Sequence, residues 1–304
     1  MLTRLPASLV ALFSLTAAVA AVPADWSSSH GIGPRAATRK CGNEPSLEVV
    51  NQMEAMFADL LAEKQASRTT TRAAGDYTVP VYFNVIYTDE DKDAANGAIP
   101  DDQIAQQMDV MNNAFSGTGL SFVLQDTIRT LNTDWFNNVA PDTDKQTQMK
   151  KQLRQGGPST LNVYTVGFNN DGARGLLGYA TFPATYSSNP DDDGIVLHYA
   201  TLPGGSQEPY NKGQTLTHEV GHWVGLYHTF QDGCDGGDQV DDTPAEAEPS
   251  SGCPEGRNTC PNRAGVDPIH NYMDYSDDAC LTEFTPGQIE RLKSQISTFR
   301  GITM

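Results

Sequence analysis

The sequence predicts an α+β fold, and three features of the chain lead to this prediction. Strand-like and helix-like patterns alternate from about Tyr77 to Val224. The chain then becomes rich in turns and holds four of its five cysteines within residues 234–280. A helix closes the sequence, because Thr285, Pro286 and Gln288 are typical of a capped helix start. We therefore expect a regular first part and an irregular second part.

The individual elements follow from the spacing of apolar residues. Four strands are predicted, at Val79–Tyr87, Leu120–Leu124, Leu161–Phe168 and Gly194–Tyr199. A buried helix beginning at Asp101 is predicted by the stripe of Ile104, Met108, Met111 and Phe115. A mostly polar helix is expected at about residues 143–155, on the surface. The glycine-rich residues 175–180 are interpreted as an exposed edge strand near a cleft, to which an extended peptide can add a strand.

The N-terminal quarter of the chain is typical of targeting and processing segments. Residues 1–20 combine a short basic start, an apolar run interrupted by Pro6, and a small-residue cleavage pattern, which predicts a signal peptide rather than a membrane anchor. Residues 21–75 are interpreted as a pro-segment with one amphipathic helix, from Ser46 to Lys64. It ends in a polar, basic linker of the kind that processing proteases cut. The catalytic domain is then expected at residues 76–304.

The charge of the chain narrows the classes of partner. Its formal net charge is −18 over 304 residues, which argues against binding to nucleic acid or to an anionic membrane surface. Together with the predicted signal peptide, this excess of negative charge favours a soluble protein that is secreted to the extracellular space. We expect a monomer.

One motif carries the chemistry. His218 and His222 lie four residues apart, so that a helix presents both from one face, toward a cleft, and Glu219 stands beside the first. Gly225 allows the chain to turn, and His228 can then return as a third nitrogen ligand. Three protein ligands leave one open position on a tetrahedral zinc ion, which is the catalytic arrangement. A zinc hydrolase is therefore predicted, with Glu219 as general acid and base for the attacking water.

Other interpretations of this motif are less consistent with the sequence. Core or surface histidines on an amphipathic helix do not require the additional Glu and Gly. A catalytically inactive, protease-like binding protein outside the cell is the main alternative, but it has no need of Glu219. A purely structural zinc site is disfavoured because the four late cysteines of a secreted chain are better used in disulfides. His198 and His270 have no partner by spacing and are interpreted as structural.

Further motifs make the chain resemble a known family. His218 to His228 match the long zinc signature of the metzincins, and residues 271–276, Asn-Tyr-Met-Asp-Tyr-Ser, stand where these proteases have a methionine turn. With residues 229–231 and 284–288, the set resembles the pappalysin family of metzincins. Within that family it is similar to the secreted fungal extracellular metalloproteases related to ulilysin. The resemblance covers most of residues 77–303.

The resemblance implies a fold and several residue roles. It implies an upper subdomain with a twisted mixed sheet and the zinc-binding helix, and a small, irregular, disulfide-bonded lower subdomain. Met273 is implied to support the zinc ligands from below, and Tyr275 to stabilise the oxyanion. The sequence leaves three pairings open for the late cysteines. The resemblance implies disulfides Cys234–Cys260 and Cys253–Cys280, and an endopeptidase that hydrolyses extracellular proteins.

The fifth cysteine suggests how such an enzyme stays latent. Arg39-Lys40-Cys41-Gly42 resembles a cysteine switch, in which a thiolate of the pro-segment takes the fourth zinc position. It lacks the longer motif of the matrix metalloproteases. The alternative is an unpaired cysteine that is discarded during processing.

Two clusters of acidic residues suggest further binding sites. Residues 232–243 contain five aspartates and are interpreted either as a structural calcium site or as a solvated acidic loop. Asp277 and Asp278 follow the methionine turn, where metzincins build the pocket for the side chain after the scissile bond. An acidic wall there favours Arg or Lys in the substrate.

Overall fold

The computed structural model describes residues 38–67, 75–89, 94–235 and 237–304 of the chain. The predicted signal peptide, the first part of the predicted pro-segment and the linker at residues 68–74 lie outside these residues. The described residues belong to one unit, Ala36–Met304. Among them, no helix has the length and apolar character needed to cross a membrane.

A five-stranded mixed sheet forms the centre of the fold. Its strands are β1 (Tyr77–Tyr87), β2 (Leu120–Leu131), β3 (Leu161–Val166), β4 (Gly178–Ala180) and β5 (Ile195–His198). They are arranged in the order β2-β1-β3-β5-β4, and all are parallel except β4, which runs antiparallel to β5 at one edge. All six residues of β3 are buried, as expected of an interior parallel strand. The predicted mixed sheet is confirmed, and β4 lies at its edge as predicted, although its three residues are buried rather than exposed.

Six α-helices surround or extend this sheet in the described residues. They are α1 (Leu47–Ser67), α2 (Asp101–Ala114), α3 (Thr133–Asn138), α4 (Asp144–Leu153), α5 (Gln214–Trp223) and α6 (Pro286–Phe299). The predicted capping box of α6 is present, because the Thr285 side chain accepts from the Gln288 N–H and the Gln288 side chain accepts from the Thr285 N–H. The name N-terminal segment is used below for residues 38–67, which include α1.

The main core joins the sheet to three helices. Alternate residues of β1, including Val81 and Phe83, pack with Met111 of α2, Leu216 of α5 and Ile296 of α6. The predicted apolar stripe of α2 enters this core, and Leu292 and Ile296 of α6 meet it there. Packing of Leu216 in this core fixes the rotation of α5 about its own axis. The direction in which the opposite face of the helix points is thereby fixed as well.

Two elements differ from the sequence prediction. Strand β2 continues to Leu131, well beyond the predicted Leu124, because a bulge between its pairing with Val81 and with Tyr82 breaks the alternation on which the prediction depends. Helix α3 was not predicted. Its six residues are too few for a periodic pattern, although Asn132 caps it by accepting from the Trp135 N–H.

A buried ion pair ties α5 to the end of α6. The Asp193 carboxylate accepts two hydrogen bonds from the Arg300 guanidinium, at 2.9 and 3.0 Å, and one from Trp223 Nε1 at 3.3 Å. Arg300 also donates from Nε to the Trp223 carbonyl at 3.0 Å and lies over the Trp223 ring. Both charged side chains are almost fully buried. The last residue of α5 is therefore held from two sides.

We predict that Asp193→Asn lowers the free energy of unfolding of the full chain by about 3–5 kcal/mol, because it leaves the Arg300 charge buried and unpaired. Denaturant unfolding followed by circular dichroism measures this loss. Asp191→Asn, at an exposed position two residues earlier, is the matched control and is expected to change stability by no more than about 0.5 kcal/mol. Equal effects of the two substitutions would contradict the role assigned to Asp193.

Candidate metal centre

Helix α5 places the first two histidines and the glutamate of the motif on one side. His218, Glu219 and His222 are all buried, rather than facing an open cleft as their spacing predicted. Gly225 has φ +103°, a backbone conformation that favours glycine, and the chain turns there as predicted. The Leu226 N–H donates to the Gly221 carbonyl at 2.9 Å, which closes the turn. His228 thereby comes back beside α5.

The three predicted metal ligands converge on one point. His228 Nε2 lies 3.2 Å from His218 Nε2 and 3.1 Å from His222 Nε2. His218 Nδ1 lies 2.7 Å from the Tyr272 carbonyl and His222 Nδ1 2.8 Å from the Leu226 carbonyl. A carbonyl accepts only, so both Nδ1 atoms carry the proton and both Nε2 atoms present a lone pair.

This arrangement fits a zinc ion. Zinc–nitrogen bonds of about 2.0–2.1 Å in a tetrahedron place the nitrogens about 3.3 Å apart, close to the separations between the Nε2 atoms. Burial lowers the pKa of all three histidines, that of His222 to about 4, so the imidazoles are neutral, as metal ligands must be. The donor set therefore suits zinc.

Met273 and Tyr275 lie against this group from the following turn. Met273 is fully buried, and its sulfur packs so closely on Gly221 of α5 that a side chain there would collide with it. The Tyr275 ring lies 5.0 Å from the His228 ring and 5.8 Å from the His218 ring, measured between centroids. The turn itself is held by Asn271, whose side chain exchanges two hydrogen bonds with Gln288 of α6.

The N-terminal segment covers the histidines. Its residues 39–43 alternate buried and exposed, so Arg39, Cys41 and Asn43 all point inward while Lys40 and Gly42 face outward. The Cys41 sulfur and the ligand nitrogens of the three histidines lie within 4.8 Å of one another. The Cys41 thiol contacts Glu219 Oε2 at 3.4 Å, and the Cys41 N–H donates to the Tyr275 hydroxyl at 3.3 Å. The two predicted catalytic residues are thus both in contact with Cys41.

Glu219 is electrostatically unusual in this setting. Burial raises its pKa to about 8, although the hydrogen bond from Cys41 and the positive charge of Arg39 oppose the shift. Burial, followed by the nearby Glu219 carboxylate, raises the pKa of the Cys41 thiol. Glu219 Oε1 has no hydrogen-bond partner. The carboxyl group is therefore held at one oxygen by the Cys41 thiol, and its other oxygen is unpaired.

Arg39 forms the innermost ion pair of the N-terminal segment. Its Nη2 lies 2.6 Å from Asp278 Oδ1, and both side chains are almost fully buried. The other oxygen of Asp278 accepts from the backbone of Lys212 at 2.8 Å and of Gln214 at 3.3 Å, at the start of α5. Asp277 is only half-buried. Of the two aspartates that follow the methionine turn, Asp278 is the one that faces inward.

Strand β4 pairs with the N-terminal segment along its free edge. The Gly42 N–H donates to the Gly178 carbonyl at 2.9 Å, and the Leu177 N–H donates to the Lys40 carbonyl at 2.8 Å. Asn43 adds two side-chain hydrogen bonds to the backbone of Ala180, at 2.6 and 2.7 Å. Cys41 and Gly178 pair in the parallel sense. The edge strand next to the metal centre is therefore able to take an added strand.

The lower part of the molecule is cross-linked as the family resemblance implies. Disulfides join Cys234 to Cys260 and Cys253 to Cys280. A buried carboxylate, Glu246, accepts from the Thr229 hydroxyl at 2.7 Å and from Arg257 at 2.7 Å. Thr229 follows the third histidine directly, so this part of the molecule contacts the chain at His228.

The predicted calcium site is not assembled as a cluster. Among the described residues, no group of three carboxylates has ligand atoms within 4.8 Å of one another. Asp242 instead accepts hydrogen bonds from Thr285 and from the Gly287 N–H at the start of α6. Asp238 is buried, which raises its pKa to about 7, and its Oδ2 has no hydrogen-bond partner. Calcium binding stays a prediction, which calcium titration of metal-free protein would test.

Comparison with known proteins agrees with this geometry. A family profile described as pregnancy-associated plasma protein-A, of the M43 peptidases, matches residues 142–297. An extracellular metalloprotease of Colletotrichum graminicola is 44% identical over 95% of this chain and 99% of its own length. The chain belongs to the pappalysin family. The predicted family is confirmed, and the enzyme is a zinc metalloendopeptidase.

Further relatives extend the comparison. An extracellular metalloprotease of Pyricularia oryzae is 46% identical over 86% of this chain and 90% of its own length. Among solved structures, a point mutant of Tannerella forsythia promirolysin has a TM-score of 0.68 and 29% identity, covering 87% of this chain and 95% of its own. Mature mirolysin of the same organism, in complex with a cleaved peptide, has a TM-score of 0.60 and 28% identity, covering 76% and 100%. The predicted metzincin fold is confirmed.

The site residues predicted from the sequence all come together in the structure: His218, His222, His228, Glu219, Met273, Tyr275 and Cys41. The contacts of Asn43 with β4 and the pairing of Arg39 with Asp278 were not predicted. No regular pattern in residues 39–43 predicts these contacts, because Arg39 and Lys40 are both polar and Cys41 and Gly42 are both small. His198 and His270 lie outside the group of metal-ligand atoms, and each bonds a nearby backbone group.

Proposed function

We propose that the enzyme is a secreted endopeptidase that is made as a latent precursor, with Glu219 as its general acid and base. The observation that carries this proposal is the position of the Glu219 carboxyl group, buried beside three converging histidine nitrogens and free on one oxygen. Zinc held by His218, His222 and His228 would polarise the scissile carbonyl and lower the pKa of a water molecule to about 7. Side chains of the protein would carry out the proton transfers and stabilise the oxyanion.

Glu219 would accept the proton of the attacking water and donate it to the leaving amine. Its position, buried beside the three histidines, would allow one carboxyl group to perform both transfers. Tyr275 would donate a hydrogen bond to the oxyanion from its hydroxyl group, which now accepts from the Cys41 N–H. The hydroxyl is thus placed where a backbone group of another chain segment can approach it.

Latency would come from the N-terminal segment, which belongs to the predicted pro-segment at residues 21–75. Cys41 occupies the side of the histidines that a substrate must reach, and its sulfur is at ligand distance from the same centre. A thiolate there would be the fourth zinc ligand and exclude the water. In support, promirolysin aligns with a larger share of this chain, 87%, than mature mirolysin does, 76%.

Substrates would bind where the N-terminal segment now lies. An extended peptide would pair with the free edge of β4, as residues 40–42 do. The pocket that holds Arg39 would then receive a substrate side chain, and its buried Asp278 carboxylate favours arginine or lysine. The substrate class is therefore extracellular proteins cut beside a basic residue. Secretion is supported by the names of the relatives, which are called extracellular metalloproteases.

Glu219→Gln is expected to lower casein hydrolysis by the processed enzyme by about 10²- to 10⁴-fold, because it removes the proton acceptor and keeps the shape of the side chain. Zinc content, measured by elemental analysis, should stay at the wild-type level, and a zinc chelator should abolish the wild-type activity. Glu290→Gln, at an exposed position of α6, is the matched control. Full activity of Glu219→Gln would refute the mechanism, whereas absence of casein hydrolysis by the processed wild-type enzyme would favour the alternative of a protease-like binding protein.

Cys41→Ala is expected to make the uncleaved precursor active on a short fluorogenic peptide, because it removes the sulfur that blocks the metal centre. The measurement pairs the initial rate with a gel that shows how much precursor is intact. Lys40→Ala is the control, since the Lys40 side chain faces outward. Unchanged latency in Cys41→Ala would show that the thiol is not the inhibitory group.

Asp278→Asn is expected to reduce the preference for arginine over leucine after the scissile bond by about tenfold or more, because a buried carboxylate no longer pairs with the substrate. Ratios of kcat/KM for two peptides that differ only at this position measure the effect. Asp277→Asn, at the neighbouring half-buried aspartate, should leave the ratio as it is in the wild type. A preference that both variants retain would exclude Asp278 as its source.

A further inference from the structure

The N-terminal segment contacts the rest of the enzyme at two separate places. The first is the metal centre, which residues 39–43 cover. The second is formed by α1, which begins at Leu47 and packs on α6 and on the turn after α5. Only residues 44–46 lie between the two contacts. The proposed latency concerns the first place and assigns nothing to the second.

A carboxylate clamp lies at the centre of the second contact. Glu54 of α1 accepts from both terminal nitrogens of Arg291, at 2.5 and 3.2 Å, and from the Tyr227 hydroxyl at 2.9 Å. Arg291 is also oriented by contacts that do not involve α1. Its Nε donates to the Gly225 carbonyl at 3.0 Å, and its guanidinium lies over the Tyr227 ring, 5.0 Å from the ring centroid. The Arg291 side chain is 8% exposed and that of Glu54 is 22% exposed. Such a two-pronged, largely desolvated pair is specific in its geometry.

Apolar contacts surround the clamp along the same face of α1. Val50 and Met53 are buried against Phe182, Ala184 and Tyr227. Further along the helix, the Phe57 ring lies 6.0 Å from the Phe299 ring, and Lys64 donates to the backbone and side chain of Ser297 at 2.7 and 2.6 Å. The contact residues lie on one stripe because each is three, four or seven positions from another member of the set: Val50, Met53, Glu54, Phe57 and Lys64. The docked face of α1 therefore extends over most of its length.

We propose that α1 is a docking element that holds the N-terminal segment on the enzyme independently of the metal centre. Cutting the linker at residues 68–74 then does not release the inhibitory strand, and activation has two steps, cleavage and dissociation. This inference rests on the proposed latency for its functional meaning. The partner of the docking surface is the enzyme's own cleaved N-terminal segment.

The short stretch of chain between the two contacts strengthens the inhibition by the docked segment. When Cys41 leaves the metal centre while α1 stays docked, the three intervening residues keep the thiol at a high effective concentration. Rebinding is then intramolecular and faster than the entry of a substrate at ordinary concentration. The clamp at Glu54, which lies away from the metal centre, sets how long the inhibitory strand stays.

The test uses the full chain with Glu219→Gln, so that no self-cleavage occurs, and with residues 68–74 replaced by the recognition sequence of a site-specific protease. After cutting, gel filtration measures the fraction of the N-terminal fragment that co-elutes with the rest of the enzyme. Zinc chelation removes the metal contact in one arm, and Cys41→Ala removes it with the metal retained in a second arm. We expect the fragment to remain bound in both arms.

Adding Glu54→Gln is expected to speed dissociation of the fragment about tenfold or more in both arms, because it leaves Arg291 without its anionic partner. Glu63→Gln, an exposed glutamate of the same helix, is the matched control and should retain the fragment. Thermal unfolding of the uncut variants checks that α1 is still docked before cleavage.

Loss of the fragment from the enzyme with intact Glu54, on chelation and in Cys41→Ala alike, would overturn the proposal. Equal dissociation rates for Glu54→Gln and Glu63→Gln would overturn the role of the clamp. These results are independent of peptidase activity, because the background is inactive by design. Failure of the proposed function would instead appear in the casein assay of the enzyme with Glu219 intact.

Discussion

Three neutral imidazoles whose Nε2 atoms converge on one point are the constraint on which the rest of the structure depends. His228 Nε2 lies 3.1–3.2 Å from the other two Nε2 atoms, and His218 and His222 each direct a lone pair toward it. The chain holds them together by fixing the opposite side of two of the rings, where backbone carbonyls accept from Nδ1. Helix α5 supplies two ligands, and the turn at Gly225 supplies the third.

Several distant parts of the chain contribute to this constraint. The Asp193–Arg300 pair holds the last residue of α5, and Gln288 of α6 holds the turn that carries Met273. Glu246, which Arg257 holds by a hydrogen bond, accepts from Thr229 next to His228, in the disulfide-bonded part. Since disulfides reduce the freedom of the unfolded chain, this irregular part needs little regular structure to be stable. The metal centre is thus connected by hydrogen bonds to both halves of the fold.

The N-terminal segment contacts the groups that the proposed catalysis and substrate binding would use. Glu219 and Tyr275, which the proposed mechanism requires to be accessible, both contact Cys41 in this structure. Arg39 neutralises a buried carboxylate that would otherwise carry an unpaired charge. Inhibition and substrate recognition would therefore depend on one set of contacts, and α1 adds affinity away from that set.

Much of this protein was predictable because its chemistry is local in the sequence. The spacing of His218, His222 and His228 predicts that one helix and its following turn bring three imidazoles together, and the capping residues determine the start of α6. The strands of the core were predicted where apolar residues alternate without interruption. The end of β2 was not, because a bulge removes the alternation, and the short α3 was not, because six residues contain no full period.

Contacts between residues far apart in the chain were decided by the tertiary structure alone. The sequence by itself determined that Arg39, Cys41, Asp278 and the zinc motif are present, and the family resemblance connected Cys41 with the metal. Only the fold brings Arg39 to Asp278 and Glu54 to Arg291, across more than 200 residues in each case. Such pairs leave no periodic signal, because a charged side chain can find its partner on any element that packing brings near. Packing, rather than local preference, therefore decided how the metal centre is covered.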